Sequence, residues 1–549
     1  FRVADGASIV INAASRETIR MNEGTSSGRT FIVETGAVVV AGGLYPGSGP
    51  SNTVHVNGGS LSLTGSGASG ENGLIRVTED TNPNGADRLI VDAGSLTFSD
   101  DDWLSFGVRG GGAEIIVNGG TATFGRLSLG VRADTGFGSS GYYTYSKVWV
   151  NGGVMDVAGA LNWMGDIREG RVNQVFLNGG TLRLPATLRS VANTIANRSE
   201  LTLNGGTLVL RGLGNFGSTS LDNYLGGLSD LYVDQGGAVI DTLSHSATIT
   251  QALQRVGSTT GGLTKRGSGT LTLSGACDIA GTTAVEAGTL RLGATTATTG
   301  LIVSNSATLS LVNGAYDALS AAAVALADGA RLNLEAASDS AACDRLALPA
   351  DASVGQVVVG LYVSGTSTFV TRPDDYPVFS YAGTPPDVTG WSLAPEAFGV
   401  SATFVTTTAN QTIDLRLAYN AGQSVWQNTG SGDWSVSGNW WPQAPAVSGS
   451  TVLFGNAPLD SAAVNVDGAV SVAALIFDHT HSYALAGSAV TLDNGAGDAS
   501  VSVLAGSHTL SNALTLSGGT LASVAAGAQL KVTDVASGAG SLTVTGGGQ

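Results

Sequence analysis

Among the side chains whose type and spacing could do chemistry, the first group is the run Asp80-Thr81-Asn82-Pro83-Asn84-Gly85-Ala86-Asp87. Asp80, Asn82, Asn84 and Asp87 offer hard oxygen ligands around a glycine at the sixth position, as a calcium loop requires. The twelfth position is Val91 instead of the expected glutamate, so the run also fits a plain polar side loop. Asp100, Asp101 and Asp102 form a second acidic cluster, which reads as a solvated turn. His479 and His481, separated by Thr480, would share a face of a strand and could hold a metal. No third ligand is in view, and ordinary surface positions explain them as well. Trp434 and Trp440, within the tryptophan cluster at 426 to 441, would either stack on sugar rings or seal the end of a folded body. Cys277 and Cys343 are too few for a disulfide framework, and their spacing is not that of metal ligands.

These residues are positioned by a repeated phrase. It appears as Val56-Asn57-Gly58-Gly59-Ser60-Leu61, Val117-Asn118-Gly119-Gly120-Thr121-Ala122, Val150-Asn151-Gly152-Gly153, Leu177-Asn178-Gly179-Gly180-Thr181-Leu182 and Leu203-Asn204-Gly205-Gly206-Thr207-Leu208. Apolar and polar residues alternate on both sides of Asn-Gly-Gly, which is strand periodicity with one face in and one out. Asn-Gly-Gly is the corner between strands, since glycine, and to a lesser degree asparagine, accepts left-handed backbone. Looser copies place the first inward residue at 9, 38, 61, 96, 122, 155, 182, 208, 239, 271, 290, 309 and 332, with spacings from 19 to 35. A constant strand with side loops of varying length suits a parallel β-solenoid better than propeller blades or helical repeats. An antiparallel meander is the alternative, because Asn-Gly also closes hairpins. Thirteen coils would stack to about 60 Å, and Cys277 and Cys343 would then lie roughly 14 Å apart, beyond the ~7 Å a disulfide bridges.

Gly262-Leu263-Thr264-Lys265-Arg266-Gly267-Ser268-Gly269-Thr270-Leu271-Thr272-Leu273, followed by Gly281-Thr282-Thr283-Ala284-Val285-Glu286-Ala287-Gly288-Thr289-Leu290-Arg291-Leu292, closely resembles the autotransporter-associated β-strand repeat. The resemblance implies a right-handed parallel β-helix in a passenger-like region of a Gram-negative surface or secreted protein, acting as stalk, adhesin or carrier. Trp426, Gly432-Asp433-Trp434, Asn439-Trp440, Pro445 and Gly449 resemble the opening of a module found between such repeats. The expected layout is therefore a first solenoid over 1–339, a β-rich junction or cap over 340–425, the start of a Trp-rich module over 426–454 and a second solenoid over 455–549. Gly540 to Gly548 overlays Gly261 to Gly269 with Val544 in place of lysine, so the chain is expected to stop in mid-repeat, as an excerpt of something longer. The alternative expectation is end-to-end stacking of copies into filaments, with Phe1 and Val3 meeting Leu542 and Val544.

Composition narrows the function. Charged residues are 12% and hydrophobic residues 42%, so the chain should fold rather than remain disordered. A net charge of -17 argues against nucleic acid as a partner. No apolar run is long enough for a transmembrane segment; the longest Ala-rich one is Leu319 to Ala327. Parallel β-helices also carry polysaccharide-cleaving sites, which need paired carboxylates, but nothing in the spacing of the 42 acidic residues selects a pair. The expectation is a non-catalytic, structural or adhesive protein, extracellular or outer-membrane-associated, with no cofactor unless calcium binds at 80 to 87. Its partners would be further copies, a host surface or a glycan. The alternative is a glycan-binding or glycan-degrading protein.

Overall fold

The computed structural model describes the chain apart from residues 5, 11–17, 22–27, 46–50, 65–85, 107–111, 130–144, 164–170, 188–196, 214–219, 295–297, 338–341, 365–368, 371–373, 395–399, 420–421, 442–443, 446–448, 456–457, 459 and 535. Two compact units interleave in sequence. The first comprises 1–334, 344–358 and 379–390, and the second 335–343, 359–378 and 391–549. Among the described residues there is no α-helix; two one-turn 3-10 segments, Leu221–Asn223 and Ser437–Asn439, interrupt the strands.

The first unit is a parallel β-solenoid whose cores are columns of stacked side chains. Val3, Val33, Val56, Val91, Val117, Val150, Leu177, Leu203 and Val233 pair successively in register, and all are buried. Each lies over its predecessor because the period-two pattern turns the same position inward in every coil. Full burial of one such side chain contributes roughly 1.5–3 kcal/mol, and the repeated phrase supplies it coil after coil. The phrase thus pairs in parallel, and no hairpin forms at its Asn-Gly-Gly corners.

A second column begins Ile9, Val39, Leu61, Leu96, Ala122, Met155, Leu182, Leu208 and Ile240. Here the register differs from the alignment at two places. Val38 is 42% exposed while Val39 is fully buried, and Ile240 rather than Val239 is the inward residue. A shift of one residue exchanges the faces of a strand, so both copies are displaced by one. Leu271, Leu290, Leu309 and Leu332 belong to a third column that starts at Ala247. The thirteen aligned positions therefore divide between two columns.

In the second unit three parallel sheets enclose one core. Val452, Leu475, Val501 and Ala522 stack on one side, Val464, Leu485 and Leu510 on another, and Val472, Leu492 and Leu516 on the third. The same unit holds an antiparallel hairpin, Val400–Thr407 with Thr412–Tyr419, and Trp426 paired antiparallel with Trp440.

Candidate functional site

The corner after the first column carries a chain of polar side chains that passes from coil to coil. Asn118 Nδ2 donates to Asp92 Oδ1 (2.7 Å), Asn151 to Asn118 (2.8 Å), Asn178 to Asn151 (2.9 Å) and Asn204 to Asn178 (3.3 Å). The Gly236 N–H then donates to Asn204 Oδ1 (2.8 Å). At the other end Asp92 Oδ2 meets His55 Nε2 at 2.7 Å. The bond from Asn118, helped by His55, holds the Asp92 carboxyl below its ordinary range.

The ladder needs the glycines beside it. A Cβ on Gly152 would strike the Asn118 carbonyl, and one on Gly153 the Gly120 carbonyl. The left-handed backbone falls on the second glycine in three corners, at φ 64° for Gly120, 62° for Gly153 and 61° for Gly180, on the first in the other two, at φ 96° for Gly58 and Gly205, and in none on asparagine. Asparagine is thus selected by its side chain rather than by tolerance of a left-handed turn. Sequence reasoning treated it as a turn residue and missed the ladder; the available signal was one amide at the same place in successive coils.

Acidic side chains on the neighbouring outward face are likewise engaged. Arg198 donates to Asp230 (2.6 Å) and to the Tyr232 hydroxyl (3.1 Å), and its Nε lies 3.5 Å from Glu200. Gln174 donates to Glu200 (2.9 Å). Asp230 in turn holds the Arg198 guanidinium above its usual range. Glu200 and Asp230 are register neighbours, yet both carboxylates are bound to basic or amide donors instead of standing as an acid and a base.

Of the calcium candidates, Asp80, Asn82 and Asn84 lie outside the described residues. Asp87 is fully buried, and its Oδ1 accepts the Asn52 N–H (2.7 Å), so it faces the interior rather than an open loop. Among the described residues no group of three or more His, Cys, Asp or Glu is placed to hold a metal ion. The side chains of Asp100, Asp101 and Asp102 are outside the described set. His479 and His481 do not form a surface pair: their strand ends at Asp478, and His479 turns into the core with the exposed His481 edge-on at 5.0 Å. No disulfide occurs among the described residues; Cys277 is buried, and its thiol is pushed up to about 12 by that burial and by Asp278.

Trp434 and Trp440 are 2% and 1% exposed. Their rings are 4.7 Å apart, Trp440 Nε1 donates to the Trp434 carbonyl (2.7 Å), and both pack on Phe454. Neither has a face open to a sugar, which corrects the stacking alternative and leaves them as core. Phe1, 77% exposed, stacks on Phe31, and Val3 is buried. Leu542 and Val544 lie on a strand paired with Thr520–Val524 and are 51% and 68% exposed. Among the described residues no helix is long and apolar enough to cross a membrane.

Lys265 stands in the second column between Ile240 and Val285, fully buried where the other coils place an apolar residue. Its ammonium donates to the Arg266 (2.8 Å), Gly267 (2.8 Å) and Ala287 (3.0 Å) carbonyls, joining two coils at their corners. Residues 263–292 match the family described as passenger-associated-transport-repeat. No curated protein and no solved structure matches the chain. In the transport repeat, Leu263–Arg266 pairs with Thr282–Val285 and Thr270–Leu273 with Thr289–Leu292, so the match covers two strands of each of two successive coils. Arg266 and Glu286 bridge the same coils outside at 2.7 Å. This is a repeat of passenger regions rather than of a known enzyme family.

Proposed function

We propose that this chain is a non-catalytic structural element, a spacer or adhesive scaffold, within the passenger of a secreted or surface-exposed Gram-negative protein. The observation that carries this is the use of outward polar groups between coils: from His55 and Asp92 through four asparagines to Gly236, each side chain bonds to the next coil. A binding cleft leaves donors and acceptors pointing at a ligand, whereas a spacer uses them to hold its own repeats. The transport repeat at 263–292 supports the cell-surface setting. Within this proposal, 1–339 and 455–549 serve as solenoid segments and 340–454 as the junction and module start between them. Association of copies through the strands of Val3 and Val544 is part of the same proposal; Val544→Lys should lower the sedimentation coefficient of any assembly formed.

The test is coil deletion in the parent protein displayed on cells. Removing residues 151–177 joins Val150 to Asn178 and takes out one complete coil. Adhesion or display should decline gradually with the number of coils removed, whichever coils they are. Abrupt loss on removing one particular coil would identify a local binding or catalytic site and overturn the proposal. An antibody to residues 263–292 should label intact cells, and failure to do so on cells producing the protein would refute the surface setting.

A further inference from the structure

Five Asn-Gly pairs, at 57, 118, 151, 178 and 204, occupy equivalent corners of the first unit. Asn-Gly is chemically labile because glycine has no side chain to hinder attack of its backbone nitrogen on the preceding carboxamide. In that reaction the glycine N bonds to the asparagine Cγ, the Cγ–Nδ2 bond breaks, and ammonia leaves with the proton of the glycine amide. Water then opens the cyclic imide at either carbonyl, giving aspartate or isoaspartate.

The structure treats the five pairs unequally. Asn118, Asn151, Asn178 and Asn204 are each held at both ends of the carboxamide, the nitrogen donating to one coil and the oxygen accepting from the next. The attacking nitrogens of Gly119, Gly152 and Gly179 are also engaged, donating to the Val91, Val117 and Val150 carbonyls (3.2, 3.1 and 3.0 Å). Asn57 differs. Its Nδ2 donates to Glu34 Oε2 (3.2 Å), but among the described residues no donor reaches its carboxamide oxygen, because the following coil has Asp92 at the ladder position, a carboxylate that accepts and has no N–H to give. Exposure does not separate them, since Asn118, Asn151 and Asn178 are exposed as Asn57 is. To bring Cγ over the glycine nitrogen, a ladder rung must break two hydrogen bonds of its carboxamide, whereas Asn57 must break one.

We propose that Asn57 is a site of spontaneous conversion to aspartate and isoaspartate, and that the ladder protects the other four asparagines from the same reaction. Conversion at 57 places a second carboxylate against Glu34, and the isoaspartyl product also lengthens the backbone at a corner where a Cβ on Gly59 would already strike the Glu34 carbonyl. Among these five corners, the one nearest the N-terminus is therefore the one that ages.

The experiment is prolonged incubation of the full chain at mildly alkaline pH, with peptide mass spectrometry and isoaspartate quantification at each corner. Asn57 should convert about ten-fold faster than Asn118, Asn151 or Asn178, the factor that one net hydrogen bond supplies. In urea the five sites should react at similar rates. Asp92→Ala removes one tether of Asn118 and should accelerate Asn118 about ten-fold while leaving Asn178 unchanged. Similar rates at all five folded sites, or the same excess at Asn57 in urea, would overturn the proposal. If Asp92→Ala unfolds the chain, all rungs accelerate together, and the wild-type comparison decides alone.

Discussion

Replacing Lys265 with methionine tests the balance of forces inside the transport repeat. Methionine keeps an unbranched apolar stem in the column between Ile240 and Val285 and removes three hydrogen bonds to backbone carbonyls. The Arg266 carbonyl keeps its donors from Thr242, so the loss falls on Gly267 and Ala287. Two hydrogen bonds from a charged donor contribute about 3–6 kcal/mol, and burying an ammonium costs several kcal/mol in the opposite sense. The expected net loss is about 2 kcal/mol at neutral pH.

The pH dependence separates the two forces. Burial pushes the Lys265 amine from 10.5 down to about 8, with Asp241 opposing it. Below 8 both folded and unfolded chains hold the proton; between 8 and 10.5 the unfolded chain holds it and the folded chain releases it. Stability contributed by this group therefore rises with pH across that window. The gap between wild type and Lys265→Met should widen accordingly, since the variant has nothing to titrate there and other groups cancel. Urea unfolding by circular dichroism, with hydrogen exchange at Thr264 and Ala284 as local probes, measures the gap. A gap below about 0.5 kcal/mol at neutral pH, within the range of ordinary surface changes, would refute the role of the carbonyl tripod. A gap that narrows as pH rises would show that the folded chain holds the Lys265 proton more tightly than the unfolded one, and would refute the downward shift of the amine.

Three further outcomes are expected. Burial holds His508 and His479 below the ordinary histidine value of 6.5, and the neutral His508 ring accepts the Tyr483 N–H while donating to the Ala505 carbonyl. With folded values depressed, stability of the second unit is present above 6.5 and lost as pH falls below it. His508→Asn, which can accept and donate but cannot be protonated, should flatten this acid dependence in thermal melts at pH 5 and 7; an unchanged slope would exclude His508 as its source. Gly153→Ala should cost at least about 2 kcal/mol in urea unfolding, from left-handed strain plus backbone contact. Gly257→Ala, also left-handed but facing open space, should cost only about 1–2 kcal/mol, and equal costs would remove the argument from coil contact. Trp440→Ala should destabilise the second unit by about 3–5 kcal/mol, seen in fluorescence-monitored unfolding; a loss under 1 kcal/mol would mean the cluster does not support the core.

The parallel solenoid was legible in the sequence, because alternation places Val56, Val117, Val150, Leu177 and Leu203 at one point of a repeated phrase, and equal phrases bury equal faces by stacking. The corners were legible as well, since glycine alone tolerates both the left-handed turn and the close approach of the next coil. Register was not: Val38 and Val39 are both apolar, and only pairing with Ile9 and Leu61 decides that Val39 points inward. The division of Leu271, Leu290, Leu309 and Leu332 into a separate column depends likewise on which strand each one meets. A charged residue in an apolar column contradicts the alternation rule, and Lys265 is tolerated because carbonyls from its own corner and from the next coil converge on its ammonium. The burial of His479, Trp434 and Trp440 similarly depends on groups that the sequence does not place beside them, the Pro458 carbonyl for His479 and Phe454 for the two tryptophans. The asparagine ladder combines both sources. Sequence repetition brings an amide to every corner, but only coil stacking brings those amides within hydrogen-bonding distance, turning a turn residue into a continuous bonded line.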